Sequence, residues 1–393
     1  MSTALDYLKD ELAELERQGL LLHPRTLEGA TGARARFDGR DVINLASNNY
    51  LGLANHPRLN RAAADAALAF GAGSGAVRTI AGTMTMHQEL ERRFAAFKHA
   101  EAALMFQSGF TSNAGTVAAL LGKEDVIVSD QLNHASIIDG ARLSRAEIKV
   151  FPHKDADAAD ALLAETAAPG RRQLLTTDGV FSMDGDIAPL PALVEVAERH
   201  GAIMMVDDAH ASGVLGTGGA GTVDHFGLHG RVDIQVGTLS KAIGVLGGFI
   251  AGPSHLIGWL QNRGRPYLFS TSAPPAVVAA CTAALDVIDD EPDRLQRLWA
   301  NTARFKDGLH ELGFDTGASE TPITPVITGD EERTQTLARR LFEEGVFCPA
   351  IVFPTVARGQ ARVRTIVTAD HTEDDLGEAL DVFERVGLEL AVI

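Results

Sequence analysis

The segment Ile203-Met-Met-Val-Asp-Asp-Ala-His210 begins with four apolar residues that run directly into two acids. A short apolar run of this kind is typical of a strand that is buried on both faces of a parallel sheet, and Asp207 stands where that strand should end. Ligands of open α/β sheets bind at the carboxyl ends of the strands, so Asp207 and His210 are placed to meet one. The alternative is that Asp207 caps the N-terminus of a helix beyond the strand.

Similar short apolar runs recur on both sides of this segment and alternate with longer stretches of helical periodicity. The predicted strands lie at residues 103–106, 126–129, 148–151, 173–177, 202–206, 232–236 and 248–251. Helical patterns lie between them, among them residues 156–166 and 190–200. Short apolar strands separated by helices predict an α/β fold whose mostly parallel central sheet is covered by helices on both faces.

The two ends of the chain differ from this central pattern. Leucines at spacings of three and four predict an amphipathic helix over residues 3–18, and residues 20–50 are irregular and strand-like with a turn at Asp38-Gly39. A polar break at residues 289–292 precedes a long charged helical pattern. The predicted units are an N-terminal helix and irregular segment (1–54), a large domain that contains the central sheet (55–290) and a smaller C-terminal α/β domain (291–393).

The composition excludes several classes of protein. The chain has 393 residues with 52 acidic and 35 basic side chains, a net charge of −17, and so lacks the excess of cations that nucleic acid or an anionic membrane attracts. No apolar run approaches the roughly 18 residues of a membrane helix, and the N-terminus lacks a secretion signal, which predicts a cytoplasmic protein. Cys281 and Cys348 lie far apart without a CxxC, so we predict neither a disulfide framework nor a metal site.

Lys241 differs from the other lysines of the chain. It lies in Gly237-Thr-Leu-Ser-Lys-Ala-Ile-Gly244, with no charged residue within three positions. An apolar setting lowers the pKa of an amine and makes it a nucleophile near neutral pH. The alternative is a lysine that extends to solvent at the edge of a loop. The others, Lys9, Lys98, Lys123, Lys149, Lys154 and Lys306, each have an acid within three positions, which predicts solvated surface side chains.

Other polar groups follow predicted strands in the same way. His134 lies in Asp130-Gln-Leu-Asn-His-Ala-Ser136, although an isolated histidine is more often structural. Gln107-Ser-Gly-Phe110 leads from a strand into a helical pattern, where backbone amides form a cradle for an anion. The alternative for Ser108-Gly109 is a plain turn. Thr238 and Ser240 add hydroxyl groups beside the lysine.

Arginines and glycines supply two further patterns. In Ala361-Arg-Val-Arg-Thr365 the side chains of Arg362 and Arg364 share one strand face, as a carboxylate site requires, the alternative being an edge strand protected by charge. Gly216-Thr-Gly-Gly-Ala-Gly221 fits the G-x-G-x-x-G pattern, but no full strand precedes it and no convincing helix follows it. We therefore predict no dinucleotide site there.

These groups together match the needs of pyridoxal 5′-phosphate (PLP). This cofactor requires a lysine for its aldehyde, an acid for its pyridine nitrogen, a flat group against its ring, and amides and hydroxyls for its phosphate. An amino-acid substrate also needs an arginine for its carboxylate. The chain supplies each type at a predicted strand end, in the order Ser108-Gly109, His134, Asp207, Lys241 and Arg364.

From about Asn44 to its end, the chain resembles the α-oxoamine synthases, a fold-type I PLP-dependent family of homodimers whose sites lie at the subunit interface. The matching motifs are Asn48-Asn-Tyr-Leu-Gly52, Asn133-His-Ala-Ser136, Asp178-Gly-Val-Phe-Ser-Met-Asp-Gly185, Val206-Asp-Asp-Ala-His210, Gly237-Thr-Leu-Ser-Lys241 and Ala361-Arg-Val-Arg364. The resemblance implies a fold-type I α/β transferase with a smaller C-terminal domain, PLP as cofactor and a homodimer.

The resemblance also implies a role for each matching residue. Lys241 would hold the cofactor covalently and act as the base, Asp207 would pair with the pyridine nitrogen, and His134 would stack on the ring and contact substrate. The other implied contacts are His210 with the ring hydroxyl, Gly109, Phe110, Thr238 and Ser240 with the phosphate, Ser182 with the cofactor, Ser270 and Thr271 with the phosphate held by the partner subunit, and Asn48 and Arg364 with the substrate carboxylate. Arg25, Arg263 and Arg265 are predicted to form a basic mouth for CoA.

The implied reaction is the condensation of a small amino acid with an acyl-CoA. Several stretches, among them Asn48–Pro57, are most similar to glycine C-acetyltransferases, and Asn49 stands where 8-amino-7-oxononanoate synthases usually have Asp. We therefore expect glycine and acetyl-CoA as substrates. The alternative is the decarboxylating condensation of alanine with pimeloyl-CoA, or both activities in one enzyme. Aminotransferase or lyase chemistry and a non-enzymatic subunit are disfavoured, because the motifs and Lys241 are all present.

Overall fold

The computed structural model describes residues 3–393 of the chain. Its helices, in chain order, are α1 (Tyr7–Arg17), α2 (Pro57–Phe70), α3 (Thr85–Phe97), α4 (Gly109–Leu120), α5 (Ala135–Ser144), α6 (Ala156–Thr166), α7 (Leu190–His200), α8 (Thr222–His225), α9 (Ser254–Arg263), α10 (Arg265–Phe269), α11 (Pro275–Asp290), α12 (Asp293–Glu311), α13 (Glu331–Glu343) and α14 (Glu373–Glu389). Its strands are β1 (Arg34–Phe37), β2 (Arg40–Asn44), β3 (Ala102–Phe106), β4 (Val126–Asp130), β5 (Glu147–Phe151), β6 (Gln173–Asp178), β7 (Ile203–Asp207), β8 (Ile234–Thr238), β9 (Gly248–Gly252), β10 (Ile323–Gly329), β11 (Val346–Phe347), β12 (Ala350–Ile351) and β13 (Ala361–Ile366). Short helical turns lie at Leu53–Asn55, Arg78–Gly82 and Thr217–Gly219.

The central sheet of residues 3–393 has seven strands in the order β3-β9-β8-β7-β6-β4-β5. Neighbouring strands are parallel except at β9, which is antiparallel to both β3 and β8. The predicted mostly parallel sheet is confirmed, and each predicted apolar run forms a strand within two residues of its predicted bounds. β9 reverses direction because residues 239–247 are too few for the crossover of about a dozen residues that a parallel pair needs.

Apolar side chains of the central strands are buried on both faces of the sheet. In β7, Met205 packs in the cluster that contains Val117 of α4 and Leu260 of α9. Its neighbour Met204 packs on the opposite face, in the cluster that contains Leu193 of α7. Because both faces are covered, the strands have nearly continuous apolar sequences rather than alternating ones.

One of two smaller sheets joins the N-terminal and C-terminal parts of the chain. β1 and β2 form a hairpin whose turn is the predicted Asp38-Gly39, where both residues have positive φ. β2 also pairs with β11, while β10, β13 and β12 form the other sheet.

The domain boundaries near residues 54 and 290 stay predictions. α1 lies within the predicted range of residues 3–18, but it has no buried side chain. Among residues 3–393, no helix combines the length and the apolar composition that crossing a membrane demands.

The prediction that Lys98 is a solvated surface side chain is wrong. The Lys98 side chain is fully buried, and its ammonium donates to Asp208 Oδ2 at 2.7 Å and to the carbonyl oxygen of Ala220 at 2.6 Å. Its sequence neighbour Glu101 accepts from the backbone N–H of Ser254 instead. A nearby acid in the sequence therefore did not identify the partner, because the fold supplies an acid 110 residues away.

Lys306 is also not a freely solvated lysine. Its ammonium donates to the carbonyl oxygens of Ser319 and Thr321 at 2.9 and 3.1 Å. Burial lowers its pKa to about 8, against the opposing charges of Glu320 and Asp307. Its ammonium thus joins α12 to the loop that precedes β10, and the sequence prediction is wrong here as well.

Candidate active site

A cavity of about 260 Å³ opens at the carboxyl ends of the parallel strands. The ends of β4, β6, β7 and β8 all point to this edge of the sheet, where the polar residues that follow each strand converge. The lining residues are Ser108, Gly109, Phe110, His134, Ser136, Asp178, Val180, Asp207, Ala209, His210, Thr238, Ser240 and Lys241. The structure therefore brings together the lysine, the acid, both histidines and the anion cradle that the sequence singled out.

Lys241 follows β8 in a loop that returns directly to β9. The backbone N–H of Gly244 donates to its carbonyl oxygen at 2.9 Å, which fixes the loop around it. Within residues 3–393, its side-chain nitrogen has no hydrogen-bond or ion-pair partner within contact distance. Burial lowers the pKa of Lys241 to about 8, against the opposing charges of Asp207 and Asp178. A desolvated amine without a partner is the state in which a lysine reacts as a nucleophile or a base.

Asp207 is buried at the end of β7 and is held by two hydrogen bonds. Its Oδ2 accepts from Asn113 Nδ2 at 2.6 Å, and its Oδ1 accepts from the backbone N–H of Ala209 at 2.8 Å. Asn113 lies on α4 and also donates to Ser136 Oγ at 2.9 Å. Asn113 was not predicted from the sequence, although an amide in a helix of otherwise small and apolar residues is a signal for it. The arrangement presents a fixed carboxylate to the cavity.

Asp178 is a second buried carboxyl group beside Asp207. It ends β6, and the two residues are Cα partners in the parallel register. Its Oδ2 accepts from the backbone N–H of His134 at 3.1 Å, while its Oδ1 is buried without a hydrogen-bond partner. Burial and the charge of Asp207 raise the pKa of Asp178 well above its ordinary value. Asp178 therefore holds its proton more readily than an ordinary carboxyl group, and from the sequence it was predicted only as part of its motif.

The two histidines of the cavity are neutral. Burial and the charge of Lys241 lower the pKa of His134, although Asp207 opposes this, and they lower the pKa of His210 well below its usual value. His134 Nδ1 accepts from the backbone N–H of Ser136, which leaves the proton on Nε2. The hydroxyl of Tyr50 lies 2.6 Å from His210 Nδ1, and burial raises the pKa of Tyr50, so the phenol stays protonated and forms a hydrogen bond with the ring.

The N-terminus of α4 forms the anion cradle. The side chain of Ser108 accepts from the backbone N–H of Thr111 at 3.1 Å and so caps the helix, and the first amides, at Gly109 and Phe110, have no acceptor within the helix. Across the cradle, Thr238 Oγ1 lies 2.9 Å from Ser240 Oγ. A Cβ at Gly109 would lie 3.2 Å from Thr238 Oγ1, a tight contact that would press on the hydroxyl side of the cradle.

Arg364 is a buried cation without an anionic partner. It lies on β13, the middle strand of its sheet, so the alternative of a charged edge strand is wrong. Its Nη2 donates to Asn48 Oδ1 at 3.2 Å, and its Nε is buried with no acceptor. Arg362, predicted on the same face, instead pairs with Asp184. Among the described residues Arg364 has no salt bridge, which is the arrangement expected of a site for a ligand carboxylate.

The remaining predicted contacts do not line this cavity. Ser182 is half-buried in the turn after Val180, and Ser270 and Thr271 follow α10. Arg25 pairs with Asp38 at 3.0 Å and lies 3.5 Å over the ring of Phe342. The roles of these four residues stay predictions.

The chain matches the family model described as aminotransferase class I and II over residues 40–383, and it belongs to that family. Its fold is that of the fold-type I PLP-dependent transferases, as predicted. An 8-amino-7-oxononanoate synthase of Symbiobacterium thermophilum is 60% identical over 388 residues, 99% of each chain, and 8-amino-7-oxononanoate synthase 1 of Bacillus subtilis is 54% identical over the full length of both. A serine palmitoyltransferase of Sphingomonas wittichii superposes over all of both chains with a TM-score of 0.95 at 32% identity. An 8-amino-7-oxononanoate synthase of Francisella tularensis covers 90% of this chain and 99% of its own, with a TM-score of 0.76 at 26% identity.

Proposed function

We propose that this chain catalyses the decarboxylating condensation of alanine with pimeloyl-CoA, which yields 8-amino-7-oxononanoate, CoA and carbon dioxide. The observation that carries the proposal is the 60% identity, over 99% of both chains, to the 8-amino-7-oxononanoate synthase of Symbiobacterium thermophilum. Another relative of that name, from Thermoanaerobacter pseudethanolicus, is 57% identical over 389 residues. These relatives favour alanine and pimeloyl-CoA, the alternative predicted from the sequence, over glycine and acetyl-CoA, the first choice.

Asn49 explains why the first choice was misleading. The residue was used to separate the two activities, but its side chain is buried and its Oδ1 accepts from the backbone N–H of Ala54 at 3.0 Å. An aspartate carboxylate accepts the same hydrogen bond. Asn49 therefore stabilises a turn, and an exchange of Asn for Asp at this position does not by itself require a different acyl chain.

The residues of the cavity fit PLP, the cofactor of the family. Lys241 would bind its aldehyde, Asp207 its pyridine nitrogen and His210 its ring hydroxyl, while the cradle of Gly109 and Thr238 would bind its phosphate. The orphaned buried oxygen of Asp178 and the space that a Cβ at Gly109 would fill are features of this chain that support the fit. When bound to an amino acid, PLP supplies an electron sink that makes the α-proton acidic.

The chain's own residues then divide the work. Asp207 keeps the pyridine nitrogen protonated, since its carboxylate is fixed and buried. Lys241 exchanges a proton with the substrate α-carbon, because a pKa of about 8 leaves part of the amine neutral at physiological pH. His134 presents its Nε2–H to the oxyanion that develops when the thioester is attacked.

Arg364 and Asn48 are the proposed carboxylate site. A buried guanidinium that has a free Nε–H and no carboxylate of its own attracts an anion strongly, because burial removes competing water. Asn48 Oδ1 accepts a hydrogen bond from Arg364 Nη2 and so orients the guanidinium group. Through this contact the amino acid would be positioned over Lys241.

A homodimer is part of the proposal. Large apolar side chains remain exposed at the cavity and beside Ser270: Phe110 lines the cavity and is 45% exposed, and Phe269, just before Ser270, is 70% exposed. Exposed patches of this kind mark protein interfaces. A partner subunit covering them would bring Ser270 and Thr271 to the phosphate, and Arg263 and Arg265 to the mouth for CoA. A cytoplasmic location stays a prediction.

The test is the release of CoA and carbon dioxide by the purified holoenzyme, with alanine or glycine paired with pimeloyl-CoA, acetyl-CoA, succinyl-CoA or palmitoyl-CoA. We expect alanine and pimeloyl-CoA to give the highest kcat/KM, with one carbon dioxide for each CoA. A higher kcat/KM for glycine with acetyl-CoA would overturn the proposal and restore the first choice. The Lys241→Ala variant is the negative control for the release of CoA and of carbon dioxide.

A further inference from the structure

Three side chains that do not line the cavity lie close to one another. His99 lies in the turn between α3 and β3, Asp224 lies in α8, and His229 lies in the turn before β8. Asp224 Oδ1 is 2.9 Å from His229 Nε2 and 3.7 Å from His99 Nε2. One ligand atom from each residue lies within 4.8 Å of the other two. The sequence predicted no metal ligands, because residue 99 is remote from the other two along the chain.

The local structure holds the carboxylate toward the two rings. Asp224 Oδ2 accepts from the backbone N–H of Thr217, so Oδ1 is the oxygen that faces the histidines. His99 has a left-handed backbone with φ of 51°, an uncommon conformation for a residue other than glycine. The two rings lie 4.6 Å apart between centroids, inclined at 63°, so they are not stacked on each other. The fold therefore directs both Nε2 atoms at one oxygen.

The spacing and the donor types match a transition-metal site. Ligands bound at about 2.1 Å in tetrahedral geometry lie about 3.4 Å apart. The two distances from Asp224 Oδ1 fall on either side of that value, so small side-chain movements bring the atoms into place. Two imidazoles and a carboxylate suit Zn²⁺ and its neighbours, whereas Ca²⁺ and Mg²⁺ prefer oxygen ligands.

The cluster of His99, Asp224 and His229 is accessible to an ion from solvent. The side chain of Asp224 is 10% exposed, while those of His99 and His229 are 54% and 38% exposed. An ion would reach the rings from solvent and keep water in its remaining coordination position. The buried carboxylate would then be the fixed ligand, and the rings would be the mobile ones.

We propose that His99, Asp224 and His229 bind one divalent transition-metal ion, with Zn²⁺ as the probe. The ion joins the turn after α3 to α8. Lys98 precedes His99 and pairs with Asp208, and the backbone N–H of Thr222, at the start of α8, donates to the same carboxylate at 3.1 Å. The site therefore braces the buried Lys98–Asp208 pair, and its role is to stabilise this region.

Zinc titration of the tag-free, chelator-treated holoenzyme tests the proposal. Isothermal calorimetry should show one Zn²⁺ per chain with a micromolar Kd, and a rise in Tm of about 3 °C or more at saturating Zn²⁺. His99→Gln and His229→Gln should each weaken binding at least about 30-fold, the loss of one ligand out of three. His23→Gln removes an exposed histidine outside the cluster and should bind as the wild type does.

Glutamine keeps a hydrogen-bond donor for Asp224, so the variants should retain the fold, and their Tm without Zn²⁺ checks this. The proposal is overturned if the wild type binds no more tightly than His99→Gln, or if His23→Gln loses as much affinity as the two cluster variants. Binding that is lost in the cluster variants without any change of Tm would overturn the bracing role alone. None of these readouts depends on the proposed reaction.

Discussion

Lys98, which is fully buried, and Lys241, which is half-buried at the cavity, lie near two consecutive acids, but only Lys98 forms an ion pair. Lys98 donates to Asp208 at 2.7 Å, to Ala220 and, at 3.4 Å, to Ser212, so its ammonium group has three acceptors. Lys241 lies near Asp207 but has no partner among the described residues, and burial lowers its pKa to about 8. A buried cation with saturated partners is structural, whereas one without partners is available to a ligand.

The end of β7 explains how one sequence motif serves both. Asp207 and Asp208 are consecutive, and consecutive side chains of an extended segment point in opposite directions. Asp207 faces the cavity, and Asp208 faces the buried amine of Lys98. Of these two consecutive acids, Asp207 therefore belongs to the cavity, and Asp208 belongs to the structural ion pair with Lys98.

The largest expected effect is that of Lys241→Ala. Because this amine is the proposed cofactor-binding group and base, we expect the rate of CoA release to fall by about 1,000-fold or more, with the circular dichroism spectrum unchanged. The visible absorption of the bound cofactor should also change. A variant that turned over at the wild-type rate would show that Lys241 has no catalytic role.

Lys98→Met should affect stability rather than chemistry. It leaves the Asp208 carboxylate buried without its cation, which we expect to cost about 3–5 kcal/mol of the free energy of unfolding, measured by urea denaturation. The matched control is the double variant Lys98→Met/Asp208→Asn, which removes both charges and should recover part of that loss. Equal stability of the single variant and the wild type would contradict the structural role.

Arg364→Lys extends the comparison to a second buried cation without a partner. Lysine keeps the positive charge but lacks the parallel N–H donors of the guanidinium group. We therefore expect the KM for the amino acid to rise by about 10- to 100-fold with little change in unfolding free energy. Arg362→Lys is the control on the same strand, since Arg362 already pairs with Asp184. A larger effect on KM from Arg362→Lys than from Arg364→Lys would argue against the carboxylate site.

His153 is a saturated cation of the same kind as Lys98, and it titrates. Burial works against its charge, but hydrogen bonds to Asp130 and Asp186 raise its pKa to about 9. A raised pKa contributes stability that is complete below the unfolded value near 6.5 and is lost as pH rises through 9. Relative to His153→Gln, the wild type should therefore lose about 1–2 kcal/mol between pH 6.5 and 9, since partial exposure screens the pair. Denaturation at several pH values measures this, and a difference that grew with pH would have the wrong sign.

Much of the fold could be predicted because its signals are local. The apolar runs of the central sheet and helices such as α6 and α7 carry their own periodicity, and both helices match the predicted bounds. The antiparallel direction of β9 was not predicted, although the short loop after β8 contains the signal. The pairing of β2 with β11 was beyond prediction, because it joins segments about 300 residues apart, whose contact no local pattern encodes.

The candidate site also has features that the local sequence predicts and features that only tertiary contacts decide. By itself the sequence determined which chemical groups follow the strands, since strand ends are marked by a change from apolar to polar residues, and so it determined Asp207, His134 and Lys241 as candidates. The tertiary structure decided which buried charges are neutralised and which remain unpaired. Lys98 acquires Asp208, Asn113 fixes Asp207 and Arg364 remains without a carboxylate, all through contacts between residues distant in sequence. The physical reason is that burial and pairing are properties of three-dimensional packing, and these two properties set the reactivity of a charged group.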